Sequence, residues 1–208
     1  DPSYATAHHW YAITLLAPLR RLDEAVEEIR RARECDAISP SIRRDEGLVQ
    51  LYSGNAEAAH DTVTHLLALD TRFAGAWWLM GLIAESQARF EAAAQAFQRS
   101  VDLSSRHPRM LGALGHAYAM AGLATQAEAV LAELEGMCAD RYVSPFNIAL
   151  VHVGLGRYET AFSFLSQAVS LRSYDLVTLQ LDLRYAALRP FAAYEQLLRT
   201  VGFTRGQL

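Results

Sequence analysis

The side chains that could do chemistry in this chain are few and poorly placed to act together. His8 and His9 are adjacent. Successive helical residues turn by about 100°, so the two rings face different ways and cannot grip one metal. His60 and His65 stand five apart, whereas neighbours on one helical face are three or four apart. Cys35 and Cys138 are distant in sequence and no CxxC pair occurs. Cys138, beside Met137 and Asp140, reads as a filler between helices rather than a nucleophile. Gly154-Leu155-Gly156 follows a helical pattern rather than a strand, which makes it an interhelix turn and not a phosphate loop. HExxH, GxSxG and GxxxxGK[ST] are all absent from the sequence. The expectation is no catalytic residue, no metal, no cofactor and no enzyme activity.

Composition narrows the classes further. Of the 208 residues, 51% are hydrophobic, enough for a continuous core, and a charged fraction of 20% argues against disorder. The net charge of −4 comes without a basic stripe, so nucleic acid is not an expected direct partner. Two isolated cysteines fit a reducing compartment. No charged-then-apolar leader opens the chain and no run of 18 apolar residues appears. These features together lead us to expect a cytoplasmic chain without membrane contact, monomeric or weakly dimeric.

The elements that would position any site announce themselves by spacing. Ala25, Ala59, Ala93, Ala127 and Ala161 recur every 34 residues. Four positions after each comes a bulky residue: Ile29, Val63, Phe97, Leu131 and Leu165. Five positions before each comes Arg20, Gly54, Ala88, Gly122 or Gly156. Twelve before the last four alanines stand Gly47, Gly81, Gly115 and Ala149. A period of this length marks a stacked array of helical hairpins. The small residues sit where the helices of a hairpin come closest, as ridges pack into grooves. No hairpin buries its apolar face alone, so neighbours must stack. The fold class is therefore all-α, a right-handed α-solenoid of antiparallel hairpins. The expected units are 5–36, 40–70, 74–104, 108–138 and 142–171 within an array over 1–171, with 172–208 as a capping segment.

Local signals refine this. Asp1-Pro2-Ser3 reads as the tail of an earlier unit, and hence the chain as a piece of something larger. Ala12 to Gly47 is 35 residues rather than 34, which predicts one extra residue near Ala17-Pro18-Leu19. Ser39-Pro40 and Ser144-Pro145 are cap-plus-proline helix starts. Glu46 falls where an apolar residue belongs, so Arg43 or Arg44 is expected to reach it, or the helix to rotate. Glu135-Gly136 is read as a helix end. Beyond Leu171 the period fails. Tyr194–Val201 forms the capping helix, with Leu197, Leu198 and Val201 turned inward and Gly202 as its stop.

Trp77, Met80, Gly81, Ala84, Ala93 and Phe97 resemble the signature of a tetratricopeptide repeat, as do Leu114, Gly115, Tyr118, Ala127 and Leu131. The resemblance spans about five units. It implies a protein-interaction scaffold whose first helices line a concave groove holding a peptide or protein domain. On that pattern His9, Trp10, Arg44, Trp78, Glu85, His116, Phe146 and Asn147 face the partner, while Trp77 packs inside. The tail, Leu188-Arg189-Pro190-Phe191-Ala192-Ala193-Tyr194 with Leu197-Leu198, resembles the end of bacterial signalling proteins. These join winged-helix, cyclase or kinase domains to such repeats, although the Asp-Pro-Arg core of that pattern is missing. It implies a regulatory region with its output domain upstream. The alternative is a small-molecule-sensing domain, with its pocket under the tail near Phe191 and Tyr194.

Overall fold

Five helix pairs follow one another in the computed structural model, which describes residues 3–203. Asp1 and Pro2, read above as the tail of an earlier unit, lie outside the described residues. Helix α1 (Ala5–Tyr11) runs into a π-helical turn, Ala12–Leu16, and pairs with α2 (Leu22–Cys35). Then come α3 (Pro40–Tyr52) with α4 (Ala56–Leu69), and α5 (Ala74–Ser86) with α6 (Phe90–Leu103). The last pairs are α7 (Pro108–Met120) with α8 (Ala124–Met137), and α9 (Pro145–Gly154) with α10 (Tyr158–Ser170). Two 3-10 turns, Tyr174–Thr178 and Leu183–Leu188, precede α11 (Ala192–Val201). No strand occurs among the described residues. The architecture is the all-α solenoid that the 34-residue period predicts. No described helix is long and apolar enough to cross a membrane.

The helix starts and reversals follow from local chemistry. Pro40, Pro108 and Pro145 open α3, α7 and α9, where a missing N–H is no loss. Asn55 caps α4 by accepting from the Ala58 N–H at 3.1 Å. Each reversal from first to second helix passes through one left-handed residue. Arg20, Gly54, Ala88, Gly122 and Gly156 have φ of 58°, 82°, 55°, 77° and 71°. These are the five positions that precede the periodic alanines. Glycine takes this conformation freely, whereas a Cβ costs about 1–2 kcal/mol there, so Arg20 and Ala88 hold their turns under strain.

Close approach explains the other small residues. All five periodic alanines are fully buried. A Cβ on Gly81 would lie 2.4 Å from Phe97 Cε1, on the second helix of its own hairpin. On Gly47 it would lie 2.6 Å from Leu79 Cδ2, and on Gly115 2.7 Å from Val151 Cγ2. Leu79 and Val151 belong to the next hairpin. Small residues in the first helix therefore admit the neighbouring unit as well as the partner helix.

Several local expectations are corrected. The extra residue of the first unit is absorbed before Pro18, in the π-turn, where the Ala17 N–H donates to the Ala12 carbonyl at 2.9 Å. A π-turn holds one residue more per turn than an α-helix, and Pro18 has no N–H to restore α pairing. Glu46 is met by neither Arg43 nor Arg44. Arg33 on α2 reaches it at 2.8 Å, while Arg43 bonds the Ala37 carbonyl and Arg44 bonds Asp45. Helix α8 continues through Gly136 to Met137. Cys138 is exposed rather than packed between helices. Trp77 is half-buried, its indole bonding the Thr71 carbonyl, and Trp78 is the more buried of the two. Helix α11 caps the array with Tyr194, Leu197 and Leu198 buried, and Gly202 stops it at φ 110°.

Candidate functional site

The chain does not go straight from α10 to its capping helix. Residues 172–188 leave α10 and run across the first helices of the hairpins. The Ser173 and Tyr142 hydroxyls meet at 2.7 Å, and Asp175 pairs with Arg109 of α7. At Gln180 the chain reaches the first hairpin, where Nε2 donates to the Pro18 carbonyl at 2.6 Å. Leu181 joins the core formed by Ala12, Leu16, Ala25 and Ile29. The chain then returns. Tyr185 donates its hydroxyl to the Phe146 carbonyl at 2.7 Å, and the two rings lie 4.7 Å apart. Tyr194 of α11 donates to the Leu179 carbonyl at 3.1 Å. This strap fills the concave face. Leu179, Tyr185 and Leu188 are fully buried in it.

A charged cluster lies where the strap crosses α5 and α7. Arg184 donates to both Asp182 oxygens, at 2.8 and 2.6 Å. Its Nε stands 3.8 Å from Glu85 Oε2. The other Glu85 oxygen meets His116 Nδ1 at 2.7 Å. Burial by itself would raise the Asp182 carboxyl, but the Arg184 guanidinium outweighs burial and holds it below the usual carboxylate value. Burial opposes the charge of Arg184, and Asp182 with Glu85 more than restores it. Burial also raises the nearby Tyr52 phenol. Glu85 Oε2 and Arg184 Nη1 remain without a hydrogen-bond partner, a condition that costs about 1–3 kcal/mol for each buried polar atom. Beside the cluster lies a cavity of about 580 Å³, bounded by the hairpins and the strap.

Against this geometry the eight residues expected in the groove divide in two. Trp78, Glu85, His116, Phe146 and Asn147 are buried. Glu85 and Phe146 carry the strap directly, and His116 does so through Glu85. Trp78 lies under the Arg109 guanidinium, 6.0 Å from its ring centre. Asn147 and Asp175 border a second cavity of about 530 Å³. His9 and Arg44 converge on the buried Asp45, each at 2.7 Å, and Trp10 is 55% exposed. The structure thus brings Glu85 to His116, and His9 to Arg44, but not the eight into one open site. Asp182 and Arg184 were not singled out from sequence. Their only signal is a charged pair inside an apolar tail. Neither Phe191 nor Tyr194 lines the two cavities described above. Tyr194 is spent on Leu179, and Phe191 packs on Tyr158 and Phe162. Among the described residues no group of three or more His, Cys, Asp or Glu could hold a metal.

A tetratricopeptide-repeat family model matches residues 74–107 and 146–175. Those two stretches are tetratricopeptide repeats. The matched spans take in most of the third and fifth hairpins. Tetratricopeptide-repeat proteins are generally scaffolds for protein or peptide partners. Among solved structures, a thermophilic TPR protein of Thermus thermophilus is 22% identical, with a TM-score of 0.66 over 89% of this chain and 99% of that one. PilF of Pseudomonas aeruginosa is 18% identical, with a TM-score of 0.55 over 98% and 94%. The Cut9 and Hcn1 assembly of the APC/C is similar at 17% identity and a TM-score of 0.60, over 98% of this chain and 37% of that one. At these identities the likeness is one of fold. No curated protein matches the chain in sequence.

Proposed function

We propose that this tetratricopeptide-repeat chain is a protein-binding scaffold. In this reading it is the regulatory C-terminal region of a larger bacterial signalling or transcription-regulatory protein. Its partner docks where the strap leaves the first hairpin open, around Trp10, with His9 and Arg44 behind it. The observation that carries this is the exposure of Trp10 (55%) on a stretch, 4–15, that also exposes Tyr4 (57%), Tyr11 (41%) and Leu15 (44%). Scattered exposed apolar residues are ordinary, but a cluster on one short stretch marks an interaction surface, and Trp and Tyr anchor interfaces disproportionately. Magnitude argues against a partner that replaces the strap. Lifting it re-exposes Leu179, Tyr185 and Leu188, roughly 2 kcal/mol each, and strands the buried Arg184 and Asp182. A peptide would have to offset all of that before gaining anything.

The test compares capture of a partner by the native chain with capture by Trp10→Ala, Arg44→Ala and the distant control Leu69→Ala. The expected result is loss of the same protein with the first two and its retention with the third. Retention by all three variants refutes docking at this face.

A further inference from the structure

The 580 Å³ cavity is what remains of the groove once the strap is in place. Its walls come from both sides. Leu82, Phe90, Met120 and Val153 contribute from the hairpins, and Leu181 and Ala187 from the strap. Small-molecule sites run from about 300 to 1,000 Å³ and are mostly apolar, with a few polar groups that fix orientation. This cavity has that size and that make-up. Its polar wall is Glu85, His116, Asp182 and Arg184, with Tyr52, Ser86 and Tyr158 beside them.

We propose that the cavity is a binding site for a small, uncharged, mostly apolar molecule carrying one hydroxyl or amide group. The absence of charge follows from the pairing on the polar wall. Arg184 is held by both oxygens of Asp182, and Glu85 by His116. An added ion would have to displace one of these partners. The single polar group follows from what the pairing leaves over. Glu85 Oε2 lacks a donor and Arg184 Nη1 lacks an acceptor. Arg184 Nε stands 3.8 Å from Glu85 Oε2. Both atoms are sealed from the cavity, so a ligand hydroxyl reaches them as Arg184 turns aside; it then donates to the carboxylate and accepts from the guanidinium, and an amide does the same with its N–H and carbonyl. Because the ligand would touch hairpins and strap alike, it would tie the two together.

The test uses naphthalene and 2-naphthol, which share an apolar body and differ by one hydroxyl, titrated into the native chain and followed by their own fluorescence. The expected result is saturable binding of both at one site per chain. 2-Naphthol should bind about tenfold more tightly, as one hydrogen bond to a charged group implies. Ala187→Trp, on the exposed side of the strap, should fill the cavity mouth and abolish both isotherms at unchanged melting temperature. Should that variant fail to fold, Met120→Trp fills the cavity from α7, at a residue that is 43% exposed. Absence of saturable binding overturns the site. Binding that survives a folded filling variant also overturns it. Equal affinity of the two probes overturns the assigned ligand class. Neither variant touches Trp10, so failure here leaves the docking proposal standing.

Discussion

Replacing Tyr185 decides whether the strap belongs to the core or is a plug that can be drawn. Tyr185 is the largest fully buried side chain of the described residues. Tyr185→Phe removes only the 2.7 Å bond to the Phe146 carbonyl. That is one neutral hydrogen bond, about 1 kcal/mol. Tyr185→Ala also removes the ring that packs on Phe146, and large aromatic truncations in cores cost about 3–5 kcal/mol. With a urea dependence of about 2 kcal/mol per molar, the second variant should move the midpoint of unfolding by about 2 M. The assay is urea unfolding followed by helical circular dichroism, paired with limited trypsin digestion. Trypsin can cut after Arg172 and Arg184, whereas the bond from Arg189 to Pro190 resists it. If the strap is core, both variants shift the transition of the whole helical signal, and cleavage in the strap tracks global unfolding. The reasoning is refuted if Tyr185→Ala is cut selectively within 172–190 while the helical midpoint stays at the native value. The array would then stand without its strap.

Three further outcomes follow from the same structure. Ala88→Gly relieves a left-handed alanine at φ 55° and should stabilise by about 0.5 kcal/mol, the strain released less the added freedom of the unfolded chain; a lower melting temperature contradicts this. Gly81→Ala improves helix propensity but sets a Cβ 2.4 Å from Phe97 Cε1, so it should destabilise by about 1–3 kcal/mol, and a raised melting temperature is the contrary result. His152 is buried with both ring nitrogens unpartnered, stacked 5.3 Å from Phe164, and burial, aided by Arg157, lowers its pKa below 6.5. Well above 6.5 both states are neutral there. As pH falls the unfolded chain takes the proton first, so stability declines. His152→Phe should show a shallower decline between about pH 7.5 and 5, and identical urea midpoints across that range would count against the assignment.

Much of the array could be read from sequence because its forces act locally and repeat. Small residues every 34 positions report helix contacts. The residue five before each alanine reports a left-handed turn. Ser39-Pro40 and Ser144-Pro145 report helix starts. What could not be read is what happens once. The bond from Gln180 to Pro18 spans 162 residues, and nothing periodic marks it. Glu46 finds Arg33 rather than a near neighbour because the α2–α3 packing places α2 beside it. Glu85, His116 and Phe146, expected from the pattern to face a partner, lie at or beside the strap. Pattern alone could not tell that the chain's own tail already covers them.

Leu181 and Gln180 join the last segment to the first hairpin, and that junction changes how the molecule must behave. An ordinary row of repeats tolerates having modules inserted or removed, because each answers only to its neighbours. Here the first described hairpin and the last segment are clasped. Adding or deleting a hairpin between them would leave the clasp too short or too slack, so the number of modules it encloses is locked. Damage on either side of the clasp should be felt on the other, and the enclosed hairpins should melt as one body.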